Sequence, residues 1–160
     1  HMGARGETLA KQFEAKAAEF TAAIEKLSDA DWKKVTTAEK WSVGVTAHHV
    51  AGAHEPISNI VKTLSAGQSI PGFTMAMLDE MNAKHAKDFA NVTKAETLDI
   101  HKKGVATAAA VVRGIADGDF DKSGVALTGM PPLSAQQAVE GILVNHINEH
   151  LGSIRATVGS

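Results

Sequence analysis

Apolar residues recur at steps of three and four along almost all of this 160-residue chain, and nowhere do they alternate with polar residues over the length of a strand. Steps of three and four line one face of a 3.6-residue helix, whereas a half-buried strand needs a step of two. The pattern therefore points to an all-α fold, a bundle of four main helices with one or two shorter pieces. The first helix is expected over residues 7–27, with Leu9, Phe13, Ala17, Phe20, Ile24 and Leu27 facing inward. A short turn or helix carrying Trp32 follows. Ser42 is placed to cap a second helix over 43–65, with a stripe of Val45, His49, Ala53, Ile57, Ile60 and Leu64. Pro56 lies inside that helix and is expected to kink or split it.

A third helix is expected over 73–90, with Met77, Leu78, Met81, His85 and Phe89 on its stripe. Thr93 to Glu96 is a capping-box pattern that opens a fourth helix bearing Leu98, His101, Val105, Ala108, Val112 and Ile115. Residues 118–132 read as a long turn-rich connection. A second capping box, Ser134 to Gln137, opens the last helix, with Val139, Leu143, His146, Ile147, His150 and Ile154 inward. His1 and Met2 read as the scar of an expression tag, residues 1–6 as a flexible N-terminus, and 7–158 as a single bundle domain.

Hydrophobic residues make up 44% of the chain, enough for a real core. A net charge of −2 gives no electrostatic reason to expect nucleic acid or an anionic membrane as partner. No apolar run is long enough for a transmembrane helix, and no secretory signal is expected. Cysteine is absent, so the chain offers neither a disulfide nor a thiol nucleophile, which fits a cytoplasmic protein.

Function is sought in the eight histidines. His146 and His150 stand one helical turn apart and project in one direction, so their imidazoles can converge on one metal. His49, on the stripe of the second helix, supplies a third candidate ligand. Three imidazoles on inward faces each need partners, because an unsatisfied buried polar group costs about 1–3 kcal/mol. A shared cation takes one nitrogen from each ring and leaves the other for neighbouring acceptors. Three ligands leave coordination positions open, as in catalytic rather than structural sites. The zinc-protease pattern HExxH is missing, and Glu149 should point away from the pair. His48, beside Gly44 and Gly52, reads as a surface or rim residue, and His54 as solvated. His85 and Asn82, one turn apart, are candidates to face the cavity near the metal as substrate contacts, unless His85 is a core histidine with a backbone partner. His101 reads the same way. The methionines Met75, Met77 and Met81 read as core or pocket lining, and Trp32 and Trp41 as packing at the bundle end.

Trp41-Ser42, His49 eight residues after that tryptophan, and the distal His146-x-x-x-His150 together resemble the DinB-like superfamily, which includes YfiT-type proteins and the N-terminal domain of mycothiol-dependent maleylpyruvate isomerase. The segment Met81 to His85, the helix start at Thr93 and the turn from Asp117 to Asp121 share the likeness. The resemblance implies an up-down-down-up four-helix bundle with one long crossover. It also implies a divalent metal, zinc or nickel, held by His49, His146 and His150, and a homodimer. Members of known activity are thiol transferases using mycothiol, bacillithiol or glutathione, or metal-dependent isomerases and hydrolases. Pro56 departs from the pattern, and no second C-terminal domain is expected.

The expected function is then a metal-dependent enzyme in the cytoplasm. It would transfer a small thiol to a small electrophilic substrate, or isomerise or hydrolyse such a substrate. The alternative is a non-catalytic, stress-related bundle that binds a metal or small ligand.

Overall fold

The computed structural model describes residues 3–159; the tag reading of His1 and Met2 lies outside them. Seven helical segments account for most of this stretch: α1 (Ala4–Glu25), α2 (Asp29–Lys33), α3 (Val43–Ser65), α4 (Met75–Asp88), α5 (Lys94–Arg113), α6 (Ala135–Ala138) and α7 (Asn145–Val158). A π-helical stretch, Val139–Val144, joins α6 to α7 without leaving helical backbone. Starts are set by side-chain caps. Ser42 accepts from the Val45 N–H, Thr74 from Met77, and Ser28, Thr93 and Ser134 each form a full capping box.

Directions follow from which residues meet. Arg113 pairs with Glu7 and Glu14, and the His101 ring reaches the Ala17 carbonyl, so α1 and α5 run antiparallel. The cleft between α3 and α5 brings Ala51 beside Gly104, and farther along Lys62 and Ser65 beside Ala110 and Gly114, so these two run parallel. Arg5 meets Gln136 on α6 and Glu19 meets Arg155 on α7, so α1 runs parallel to the continuous α6–α7 helix. The order is up-down-down-up. Because α3 and α5 point the same way, the chain must return the length of the bundle between them, and residues 66–93, including α4, are that crossover.

Phe13, Phe20, Ile24, Val50, Val61, Leu64, Val112, Leu143, Ile147, Leu151 and Ile154 form the core, closed below by Phe120. Phe120 sits in a 3₁₀ turn, Asp117–Asp121, over which the Arg5 guanidinium lies. Glycine is required at Gly44. A Cβ there would lie 2.4 Å from the Trp32 indole nitrogen, which donates instead to the Val92 carbonyl at 2.9 Å.

Several expectations are corrected. Residues 4–6 are not a flexible end but the first turn of α1, held by Arg5 to Asp117, Asp121 and Gln136. Pro56 does not split α3, because it and Gly52, whose carbonyl it leaves without a partner, lie on the exposed side where water can serve. Within the 118–132 connection Ser123–Gly124 pairs antiparallel with Leu133–Ser134 just beyond it, a two-residue ladder too short to show as alternation. The inward face of α3 runs through Ala47, Val50, His54, Ile57, Val61 and Leu64, leaving His49, Ala53 and Ile60 half-buried at its edge. Met75, Met77 and Met81 are exposed, because α4 buries no residue at all.

Candidate metal centre

His49 stands in the second turn of α3, and His146 and His150 in the first two turns of α7. Their ring centroids form a nearly equilateral triangle with sides of 4.7, 4.9 and 4.6 Å. Each ring offers one nitrogen such that all three lie within 4.8 Å of one another, and each ring is half-buried. His146 Nε2 faces His49 Nε2 at 2.9 Å. Two neutral imidazoles in that pose need one ring to be protonated at Nε2 and the other at Nδ1. The buried His146 Nδ1 has no partner.

Burial keeps the His49 and His146 rings neutral. Burial, reinforced by His150 and other neighbouring histidines, lowers the His49 pKa to about 4. Burial, then His150 and His49, lowers that of His146 to about 2. Neutral imidazole is the ligating form, so both rings offer lone pairs at physiological pH without losing a proton first. A cation between the facing Nε2 atoms would take a lone pair from each and remove the need for opposite tautomers. The donor set therefore fits a divalent ion of imidazole preference.

Glu39 carries no signal in the pattern of residues around it. Its carboxylate accepts from His150 Nδ1 at 2.7 Å and from Ser153 Oγ at 2.6 Å. Burial works to raise its pKa, but hydrogen bonds from Ser153, His150 and Thr36 outweigh it and hold the group below the usual carboxylate range. Glu39 lies in a short polar turn with no periodicity, and only its place beside Trp41 could have drawn notice. Trp41 meets the His49 ring edge-on at 5.1 Å, so it packs against the triad.

His85 comes within 5.7 Å of His49, centroid to centroid, and Asn82 is half-buried one turn before it. The partner of His85 is not backbone but His48, Nδ1 to Nε2 at 2.7 Å, with Phe89 stacked on His48 at 4.2 Å. His48 is thus no rim residue: it is 4% exposed, and its Nε2 and His85 Nδ1 are buried without partners. Of its two glycine neighbours, Gly44 lies against the Trp32 indole and only Gly52 is exposed. His54 is not solvated either. It is 1% exposed, bonded to His101 Nδ1 at 2.9 Å, while His101 Nε2 donates to the Ala17 carbonyl at 3.1 Å. His101 is therefore the core histidine with a backbone partner. A cleft of about 510 Å³ lies on the outer side of α3 and α5, lined by Gly52, Glu55, Pro56, Ile100 and Lys103 among others, and the triad does not line it.

The family model of the DinB superfamily matches residues 12–154. No curated protein matches the chain. Among solved structures, mycothiol-dependent maleylpyruvate isomerase superposes with a TM-score of 0.72 at 13% identity, over 93% of this chain and 60% of that one. The chain thus spans less than two thirds of that relative. YfiT from Bacillus subtilis, described as a probable metal-dependent hydrolase with an unusual four-helix bundle topology, superposes with a TM-score of 0.74 at 18% identity, over 96% of this chain and 87% of that one. At these identities the likeness is one of fold.

Proposed function

Because this chain belongs to the DinB superfamily, and three of its imidazoles converge, we propose that it is a divalent-metal-dependent enzyme acting on a small electrophilic molecule. The reaction is transfer of a low-molecular-weight thiol, or an isomerisation or hydrolysis. The observation that carries the reading is the meeting of three nitrogens from two separate helices within 4.8 Å. His49, His146 and His150 hold the ion, zinc or nickel. When bound, it supplies a Lewis acid that acidifies water or a thiol and polarises the substrate. Any thiol must come from outside, since the chain has no cysteine. Asn82 and His85 are the residues we assign to orienting the substrate, with His48 fixing the His85 ring through their 2.7 Å bond. The likeness to a mycothiol-dependent isomerase and to YfiT supports the choice of reaction classes.

We read the protein as a cytoplasmic homodimer of one bundle domain. The exposed Met75, Met77, Met81 and Phe89 support an apolar contact surface on and just after α4. No described helix is long and apolar enough to cross a membrane.

The test is metal analysis of protein purified without a histidine tag, followed by chelation and a screen of electrophiles with mycothiol, bacillithiol and glutathione. Turnover is expected to fall at least about 100-fold in His146→Ala and in His49→Ala, as for loss of a ligand that orders the reacting groups. Undiminished turnover after complete metal removal rejects the metal-dependent reading. Metal uptake that raises the melting temperature without any turnover favours the binding-only alternative.

A further inference from the structure

Residues 35–42 form a tight hairpin-like turn just before α3. Val35 and Ser42 make an antiparallel bridge, the Thr36 N–H donates to the Trp41 carbonyl at 2.8 Å, and the Val43 N–H donates to the Lys34 carbonyl at 2.8 Å. Inside it the Lys40 N–H donates to the Thr36 carbonyl at 3.1 Å, and Lys40 takes φ = 63°. That left-handed backbone is uncommon for a residue with a side chain and is kept only where the surroundings enforce it. The bend sends the residues on either side of Lys40 to different ligands of the triad: Glu39 to His150 on α7, and Trp41 to His49 on α3.

The Glu39 carboxylate is an acceptor only, so the Ser153 hydroxyl must donate to it and His150 must carry its proton on Nδ1. In the neutral ring, Nε2 is then the nitrogen that carries the lone pair, on the side away from Glu39. The Glu39 and His150 side chains are 10% and 16% exposed, so water competes weakly for this bond.

We propose that Glu39, aimed by the 35–42 turn and steadied by Ser153, is the positioning residue of the metal centre: it fixes the tautomer and orientation of His150 and offsets part of the charge of the ion. This rests on the metal reading given above. A carboxylate that holds the far nitrogen of a ligating histidine makes that ligand more basic, and removing it costs about 10- to 100-fold in metal affinity. Glu39→Gln, nearly isosteric, keeps an acceptor but loses the charge, so it should lie at the low end of that range. Glu39→Ala should lie at the high end, and Ser153→Ala should cost only a few-fold.

Two measurements test it. In metal-free protein, imidazole ¹⁵N spectra near pH 7.5 should show His150 protonated on Nδ1, with the proton moving to Nε2 in Glu39→Ala. In zinc titrations against a chelator, Glu39→Gln and Glu39→Ala should weaken uptake in that order, with metal-free melting temperatures confirming that the variants fold. His150 protonated on Nε2 in the native protein overturns the proposal, as does native zinc affinity in Glu39→Gln and Glu39→Ala. Failure of the metal reading looks different: the native protein then takes up no zinc, and His146→Ala behaves like it.

Discussion

The tautomers of the buried His54–His101 pair are fixed by a single carbonyl. Ala17 O only accepts, so His101 must carry its proton on Nε2 and present a bare Nδ1 to the His54 Nε2–H. The pair ties α1, α3 and α5 together in the core, with His54 edge-on to Phe13 and His101 against Phe20. His54→Leu strands the His101 lone pair, and His101→Phe strands the His54 N–H, each at about 1–3 kcal/mol. Removing both together leaves no orphan, so the double variant should be destabilised by clearly less than the sum, read by urea unfolding of all four proteins. Additive losses would show that the two rings do not depend on each other. The triad was legible because His146 and His150 repeat at a helical step and His49 follows a tryptophan–serine cap. His48 and His54 were not, because the inward face of α3 is wider than one stripe and small residues hide it. Glu39 was invisible because a turn, not a period, delivers it.

At the scale of elements, Pro56 shows how a local rule yields to position. Its ring removes one helical hydrogen bond, yet Gly52 and Pro56 both face solvent, and α3 runs unbroken from Val43 to Ser65. The residue should still weaken the helix. Pro56→Ala restores the N–H to the Gly52 carbonyl and should stabilise the protein by about 1–3 kcal/mol in urea unfolding, with zinc uptake unchanged. A loss of stability would mean that the proline is accommodated by packing that the exposed position does not suggest. The π-helical stretch before His146 has a quieter signature. Val139, Leu143, Ile147 and Leu151 recur at strict fours, and all are buried. In a 3.6-residue helix each step of four turns the side chain by about 40° off line. A wider turn over Val139–Val144 absorbs that drift and keeps both the core residues and the histidines inward. The period is helical throughout, but the choice between three and four carries information about helix type. The strip of α4 methionines misled for the opposite reason: a regular stripe shows only that a helix is amphipathic, not that anything in the same chain covers it.

Across the whole molecule the buried histidines act together on stability. Burial pushes the pKa of His54 down to about 3 and of His49 to about 4, and it also lowers those of His48, His85 and His101. In the unfolded chain these rings titrate near 6.5. As pH falls below that value the unfolded state takes up protons that the folded state refuses, so stability drops as pH falls. Each such ring contributes up to about 1.4 kcal/mol per pH unit between its unfolded and folded pKa values. Metal-free protein should therefore be near its most stable above pH 7 and lose stability steeply from pH 6.5 towards pH 4. That onset precedes the range in which Glu7, Glu14 and Glu19, held low by Arg113, Lys16 and Arg155, add their own acid loss. Urea unfolding at half-unit steps from pH 8 to pH 5 in the presence of chelator measures it. A flat profile down to pH 5.5 would show that the rings already carry protons inside the folded bundle. The His54→Leu, His101→Phe double variant should keep the same onset but a shallower slope, because two of the refusing rings are gone. Zinc added in excess should lift the curve at pH 7 and above, since it binds the folded triad.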